Sequence, residues 1–253
     1  MYLRGVHAEH YLPILRRIVR ENPLGLFTTA IVSPSFPLLQ ASHIPFVLDI
    51  QDESSETELG TLRGHVARQN PQAKAIIEEV TTKQTKVLDQ DVLVIFTPSA
   101  HHYVTPKFYT ETKPATGKVV PTWNYTAVQV YGRATVYVDS KSEETSAYLD
   151  SQTHALTEHA ERNIMGYDGK DGNPTPWKVS DAPEKHIELL KKNIIGVEIK
   201  IDRMEGKFKM GQELRPGDVE GVICGFRNLQ TETGREIADI VEQRRDLKKQ
   251  EKQ

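Results

Sequence analysis

Residues 120–133 read Val-Pro-Thr-Trp-Asn-Tyr-Thr-Ala-Val-Gln-Val-Tyr-Gly-Arg, which places a polar and aromatic corner directly before a β-strand. Pro121 disfavours a helical conformation in the residue before it, and the later residues alternate loosely up to Gly132, as a half-buried strand does. Trp123 and Asn124 offer an indole plane and an amide with donor and acceptor groups. This corner has the chemistry of a ligand site, although a Trp beside a strand is equally typical of a core.

Further strands are predicted on both sides of this segment. Downstream, residues 194–204 alternate apolar and polar side chains with period two. Upstream, residues 92–96 form a short apolar run typical of a barrel strand, and a long polar loop, residues 103–118, follows it. Nearer the N-terminus, three segments indicate an antiparallel meander: residues 24–32, 38–49 and 59–65. One sheet system is therefore expected to dominate the chain.

Helical periodicity occurs in four places, which are residues 9–21, 71–81, 142–159 and 183–192. The last two lie in a helical insertion, residues 142–192, so that residues 1–228 are predicted to form a single domain. Residues 229–253 are strongly charged and carry one thin apolar stripe. This tail is either a terminal helix that packs on a partner or a frayed, solvated segment.

Composition excludes several classes of protein. The 253 residues contain 38% hydrophobic residues, enough to bury a full core, and no apolar run of membrane-spanning length. The N-terminus has no signal-peptide pattern, so a soluble cytoplasmic protein is expected. Cys224 is the only cysteine, which excludes an internal disulfide and a thiolate metal cluster within one chain. The net charge of −3 gives no general attraction to nucleic acid.

A dense polar cluster occurs where a predicted strand gives way to a predicted helix. Arg63, His65, Arg68 and Asn70 fall within eight residues, and Gly64 would let a ligand or a neighbouring strand approach the backbone. Two arginines beside a helix N-terminus suit a phosphate. The alternative is an exposed strand end with solvated arginines.

Two further segments carry candidate binding residues. In an extended conformation Lys207 and Lys209 point the same way, with Phe208 opposite, which indicates an anionic ligand or an edge strand protected by charge. Ser42 and His43 are adjacent on a predicted strand, so they face opposite sides and contact different groups.

Metal and nucleotide motifs are missing from the sequence. His101 and His102 are adjacent and diverge on a strand, while His154 and His159 lie about 140° apart on a helix. Neither pair has zinc-helix spacing, and the glycine patterns of dinucleotide and Walker sites are absent. We therefore expect no metal site.

In their order along the chain, these segments resemble the PaiB-type family of FMN-binding negative transcriptional regulators. The resemblance extends from Met1 to Gly225 and rests on these stretches: residues 41–46 (Ala-Ser-His-Ile-Pro-Phe), 60–72, 92–96, 103–109 (Tyr-Val-Thr-Pro-Lys-Phe-Tyr), 120–133, 176–183 (Pro-Trp-Lys-Val-Ser-Asp-Ala-Pro) and 205–212. The chain departs from the family pattern in longer polar segments, which are residues 52–58, 81–91 and 166–173, and at residues 4–7.

The resemblance implies an α+β fold dominated by an FMN-binding split β-barrel with peripheral helices. It also implies a homodimer whose flavin sites lie where the two subunits meet. The implied contacts of the FMN phosphate are Arg63, His65, Arg68, Lys207 and Lys209. The implied contacts of the ribityl chain or ring edge are Ser42, Thr122 and Asn124, and the ring packs on Trp123, Tyr103 or Tyr109. His43, Gly64 and Asn70 complete the predicted cofactor-binding set.

Three functions stay open at this point. The first is an FMN-binding transcriptional regulator, for which Arg16, Arg17 and Arg20 form the best local basic stripe, although no helix-turn-helix is evident. The second is a flavin-dependent oxidoreductase or a haem-handling enzyme, since split barrels of this kind resemble pyridoxamine phosphate oxidases; His43 or His65 could then transfer protons. The third is an FMN-binding module without turnover.

Overall fold

The computed structural model describes residues 1–250, which form nine β-strands and seven α-helices. The strands are β1 (Ala8–Glu9), β2 (Leu24–Ala30), β3 (Leu39–Pro45), β4 (Val47–Asp49), β5 (Thr61–Ala67), β6 (Val92–Phe96), β7 (His102–Val104), β8 (Thr122–Tyr137) and β9 (Ile194–Lys209). The helices are α1 (Leu12–Glu21), α2 (Pro71–Lys83), α3 (Thr112–Thr116), α4 (Glu143–His159), α5 (Glu184–Lys191), α6 (Pro216–Arg227) and α7 (Glu232–Gln250). No helix within residues 1–250 combines the length and the apolar character needed to cross a membrane.

The chain divides into two compact units, and strands β8 and β9 contribute residues to both. The barrel unit comprises Tyr11–Phe96 and Gln129–Met204. The terminal unit comprises Met1–His10, Thr97–Val128 and the described residues from Glu205 onward.

The sheet of the barrel unit curls on itself. Its strands follow the order β3-β2-β6-β8-β9-β5-β4, with antiparallel pairing of β2 with β3 and β6, and of β5 with β4 and β9. The first and last strands of this order, β3 and β4, are separated in sequence by the single residue Phe46. Since one residue joins the two ends of the order, the sheet has to bend into a barrel. The predicted strand 38–49 is thus two strands, each of which pairs with a different neighbour.

Aromatic packing fills the inside of the barrel unit. Phe46 lies edge-on to both Phe27 and Phe96, with ring centroids 6.2 Å apart in each pair. All three side chains are buried, and so are alternate residues of β6. The strand predicted from the apolar run at residues 92–96 is confirmed, and one face of it is removed from water.

The peripheral helices of the barrel unit were predicted within a few residues. Helix α1 begins later than expected because Pro13 occupies its first turn and Glu9 belongs to strand β1. Helix α4 continues into a π-helical turn, Ala160–Ile164. Its Tyr148 side chain is buried, stacks on Tyr137 with ring centroids 4.0 Å apart, and donates a hydrogen bond to the Val197 carbonyl at 2.7 Å.

The terminal unit combines two short strand pairs with helices. Strand β1 pairs with β9, and β7 pairs with β8. The Phe226 ring of α6 is buried and makes edge-on contacts with His102 and Phe108. The prediction of a polar loop at residues 103–118 was wrong, because this segment contains part of β7, a 3₁₀ turn and α3. The charged tail forms a helix, α7, in which Ile237 and Val241 are buried.

Candidate functional site

The predicted site residues fall in both units, and each unit is described in turn. The terminal unit contains Thr122, Trp123, Asn124, Lys207 and Lys209. The barrel unit contains Ser42, His43, Arg63, Gly64, His65, Arg68 and Asn70.

Two lysines of β9 are held by neutral oxygen atoms in the terminal unit. Lys207 has 9% of its surface exposed, and its Nζ donates to the Tyr2 carbonyl at 3.0 Å. Lys209 Nζ donates to the Thr122 hydroxyl and, at 2.9 Å, to the Trp123 carbonyl. Neither lysine makes an ion pair within residues 1–250. A buried and a half-buried cation without a carboxylate partner favour an anionic ligand.

Burial also changes the acid-base chemistry of Lys209. Burial lowers the pKa of Lys209, and the positive charge of Lys207 lowers it further, while the Glu213 carboxylate acts in the opposite direction. Since the charged form of Lys209 is partly disfavoured in the protein alone, a phosphate placed near it would restore the stability of that charge.

An exposed aromatic surface lies beside the Lys209 contact. The Trp123 side chain is 49% exposed, its Nε1 donates to Nδ1 of His101 at 3.3 Å, and the Tyr103 ring stands edge-on to it with centroids 6.3 Å apart. Tyr109, the third predicted ring contact, is buried. Trp123 and Tyr103 therefore offer the open faces on which a planar ligand can stack.

Strand β8 contributes buried polar atoms that have no protein partner. Asn124 Nδ2 and Thr126 Oγ1 are both buried without a hydrogen bond among the described residues. Alternation along the strand places both side chains on the same face as Thr122, whose hydroxyl binds Lys209. Unpaired buried donors and hydroxyls are costly, so this face suits a polar ligand or ordered water.

A pair formed by a buried histidine and an exposed carboxylate near the lysines was not predicted. His7 Nε2 lies 2.8 Å from Glu213 Oε2, and the His7 side chain is almost fully buried. The two residues are 206 positions apart in sequence, so no local pattern could join them. Tyr2 was also not predicted to contact the lysines. Its backbone carbonyl accepts from Lys207, and the pairing of β1 with β9, with Ala8 opposite Lys207, brings this N-terminal segment to the lysine.

In the barrel unit, Arg63 is already bound by a carboxylate. Its Nε and Nη2 donate to both oxygens of Asp49, and Nη1 donates to Ser151 Oγ at 3.1 Å. The hydrogen bond with Asp49 raises the pKa of Arg63. Because the Arg63 side chain is only 15% exposed, this bidentate ion pair is shielded from water and neutralises the charge that a phosphate would need.

The neighbours of Arg63 also have protein partners. His65 Nδ1 lies 2.7 Å from Gln152 Oε1, and Arg68 donates to the Val138 carbonyl at 2.7 Å. Gly64 meets the Phe46 ring, which is 2.9 Å from the position a Cβ would take. The close approach predicted at Gly64 is therefore made by an aromatic side chain of the barrel core.

Asn70 and Ser42 act together at the start of α2. Asn70 Oδ1 accepts from the Gln72 backbone N–H at 2.9 Å, and its Nδ2 donates to Ser42 Oγ at 2.8 Å. Asn70 is thus the N-cap of α2. His43 is exposed on β3, and Ser42 faces the other side of the strand, as predicted.

Comparison with known proteins finds a family model, sequence relatives and solved structures that match most of this chain. A family model described as "Putative FMN-binding domain" matches residues 1–203. An uncharacterised protein of Aspergillus fumigatus is 59% identical and aligns over 98% of this chain and 99% of its own length. The Protease synthase and sporulation protein PAI 2 of Bacillus subtilis is 28% identical over 98% of this chain and 97% of its own. Among solved structures, the FAD and heme binding protein from Mycobacterium smegmatis aligns over 80% of this chain and 73% of that chain, with 13% identity and a TM-score of 0.44.

Proposed function

Because the chain belongs to the FMN-binding domain family of the PaiB type, we propose that it binds FMN with the lysines and aromatic rings of the terminal unit. One observation carries this proposal. Lys207 is buried and Lys209 is half-buried, both donate to neutral oxygen atoms, and Lys209 is hydrogen-bonded to the backbone of the exposed Trp123.

The residues present fit the chemical parts of this cofactor. Lys207 and Lys209 would hold the phosphate by charge-assisted hydrogen bonds, and the unpaired polar atoms of Asn124 and Thr126 suit hydroxyl or ring-edge groups. Trp123 offers an exposed ring face. When bound, FMN supplies redox chemistry, and the protein residues bind it, orient it and control solvent access.

A flavin titration tests the proposal directly. FMN added to the purified protein is expected to lose fluorescence with saturation in the micromolar range, and a Lys207→Met, Lys209→Met variant should bind at least about tenfold more weakly. Lys118→Met is the matched control, since Lys118 is an exposed lysine of the same unit. An unchanged affinity in the double variant would place the flavin elsewhere.

The PaiB type implies a finer role, negative regulation of transcription with DNA as a partner. The arginine stripe of α1 gives this role little support, because Arg16 is buried and the carboxylates of Glu21 and Glu53 beside Arg17 and Arg20 would repel a polyanion. A DNA contact would therefore need other residues. Retention of a DNA duplex that is selective for sequence and weakens with salt would support the regulatory role.

An enzymatic role remains the alternative proposal. His65 Nδ1 contacts Gln152 in the barrel unit, whereas His43 is exposed and its ring makes no hydrogen bond within residues 1–250, so His43 is the better placed of the two for proton transfer. Oxidation of NAD(P)H by the FMN-loaded protein in the presence of an acceptor would favour an oxidoreductase, and a Soret band after haem addition would favour haem handling. Binding of FMN without turnover or DNA retention would favour the simple binding module.

We also propose that the protein is a homodimer with flavin sites where the subunits meet. Its proposed location is the cytoplasm. The dimer is implied by the resemblance to the PaiB type, and the location is inferred from the sequence. Light scattering of the purified protein with and without FMN tests the dimer, and fractionation of cells tests the location.

A further inference from the structure

A basic groove in the barrel unit has no role in the flavin proposal. It has a volume of about 530 Å³, a size typical of small-molecule sites. Its lining residues come from α1, from the loop before β5 and from the end of α4 with its π-helical turn: Pro13, Arg16, Arg17, Arg20, Glu21, Glu53, His159, Asn163 and Ile164. Three arginines face two glutamates, so the groove carries excess positive charge.

Arg16 is the most unusual cation of the groove. It is 2% exposed, and its guanidinium donates to the Ser55 carbonyl at 2.6 Å and the Glu58 carbonyl at 3.2 Å. It makes no ion pair within the described part of the chain. A buried guanidinium whose hydrogen bonds go to neutral carbonyls keeps its charge unneutralised at close range, although Asp52 and Glu53 lie within its field.

The other two arginines hold their carboxylate partners at the surface. Arg17 and Glu21 are 3.9 Å apart and largely exposed, and Arg20 makes a bidentate pair with Glu53, whose side chain is also exposed. Exposed ion pairs contribute little to stability, so a phosphate can exchange for either carboxylate at little cost. Guanidinium groups bind phosphate in the bidentate geometry in which they bind a carboxylate.

The opposite wall is fixed by a π-helical turn. His159 Nε2 donates to the Arg20 carbonyl at 2.9 Å, and Asn163 Nδ2 donates to His159 Nδ1 at 2.9 Å. Because a carbonyl only accepts, the Nε2 atom of His159 carries a proton in this contact. Turns of π-helix are frequently found at functional sites, and this one places Asn163 and Ile164 on the groove.

From the buried Arg16, the exchangeable Arg17 and Arg20, and the fixed wall opposite them, we infer that this groove binds an organic phosphate of mononucleotide size. The phosphate takes the place of the Glu53 carboxylate on Arg20, and Pro13 and Ile164 contact the organic part. The two glutamates at the groove make a continuous nucleic-acid backbone a poorer occupant, because a polyanion would meet them along its path. This site is independent of the flavin proposal.

Calorimetric titration of the full chain with adenosine 5′-monophosphate tests the inference. The nucleotide is expected to bind, adenosine is not, and inorganic phosphate should bind more weakly than the nucleotide. An Arg17→Gln, Arg20→Gln variant should lose about tenfold or more in affinity, whereas Glu53→Gln should gain a few-fold because it removes the competing carboxylate. Arg133→Gln, an exposed ion-paired arginine of the same unit, should leave affinity unchanged.

Further variants separate this site from the flavin site. The Lys207→Met, Lys209→Met variant should retain nucleotide binding, and the groove variants should retain FMN binding. Absence of nucleotide binding at millimolar concentration, equal affinity in the arginine variant, or equal binding of inorganic phosphate would overturn the inference. Binding of a DNA duplex that depends on Arg17 and Arg20, without nucleotide binding, would overturn it in favour of a nucleic-acid surface.

Discussion

Lys209 Nζ donates a 2.9 Å hydrogen bond to the backbone carbonyl of Trp123, so the contact between these residues does not involve the indole ring. Substitution of the ring therefore tests stacking without removing the lysine contact. We expect Trp123→Ala to weaken FMN binding about three- to tenfold, the value of one aromatic contact, and Trp123→Phe to retain most of the affinity. Fluorescence quenching measures both. Equal affinities for the alanine variant and the parent protein would remove Trp123 from the flavin site.

We expect the folded protein to lose stability in acid because of the contact between His7 and Glu213. Burial raises the pKa of Glu213, but its hydrogen bond with His7, its own backbone N–H and the charges of His7 and Lys209 outweigh burial, so the pKa is lower than usual. A carboxylate with a lowered pKa in the folded state stabilises the protein above its unfolded pKa, about 4.3, and this stability is lost as pH falls through the folded value.

Glu213→Gln should therefore melt at a lower temperature than the parent protein near pH 7, and the difference should shrink below about pH 4. Thermal unfolding followed by circular dichroism between pH 3 and pH 7 measures this. Glu236→Gln, an exposed carboxylate on α7, is the control and should show little difference at any pH. A difference for Glu213→Gln that stays constant with pH would mean that the pair does not depend on the charge of Glu213.

Substitutions of Asn70 distinguish a structural role of this residue from a cofactor-binding role. Loss of its helix cap in Asn70→Ala should cost about 1 kcal/mol, which corresponds to a fall of roughly 2–4 °C in melting temperature. Asn70→Asp should keep most of the stability, because the acceptor for the Gln72 N–H remains. If Asn70→Ala instead weakened FMN binding strongly at unchanged melting temperature, the residue would belong to the flavin site, as the family resemblance implies.

The sequence predicted the elements whose pattern is local. Strand β6 and helices α2 and α4 were predicted from such local patterns and were confirmed. The curled sheet confirmed the split-barrel class, and the family model over residues 1–203 confirmed the FMN-binding family of the PaiB type. Helix α6 was missed, because Gly217, Gly221 and Gly225 weaken helix propensity. In the structure these glycines allow close packing, and a Cβ on Gly225 would lie 2.4 Å from the Phe108 ring. Tertiary contact, which the local pattern does not contain, stabilises this helix.

The candidate site was less predictable, because the hydrogen-bond partners of its residues come from distant segments of the sequence. The residue types around Arg63 suited a phosphate, but the sequence did not show that Asp49 on the neighbouring strand would bind it, because residues 38–49 read as one strand. Lys207 and Lys209 were identified from period two alone, whereas Tyr2 and His7 depend on the register of β1 with β9 and on long-range packing. Which of the predicted residues bind FMN stays a prediction.

Gly64 offers a final test of whether the end of β5 is built for packing or for a ligand. A Cβ at this position would lie 2.9 Å from the Phe46 ring and 3.2 Å from the Pro45 carbonyl, so Gly64→Ala should overpack the barrel core and cost about 1–3 kcal/mol. Gly5→Ala is the control, since no atom outside Gly5 and its two chain neighbours lies within 4 Å of its Cβ position. Denaturant unfolding of both variants, with FMN affinity measured on the folded protein, distinguishes the roles. A lower stability with unchanged affinity would assign Gly64 to the core, whereas unchanged stability with lost affinity would show that the ligand approaches the backbone there.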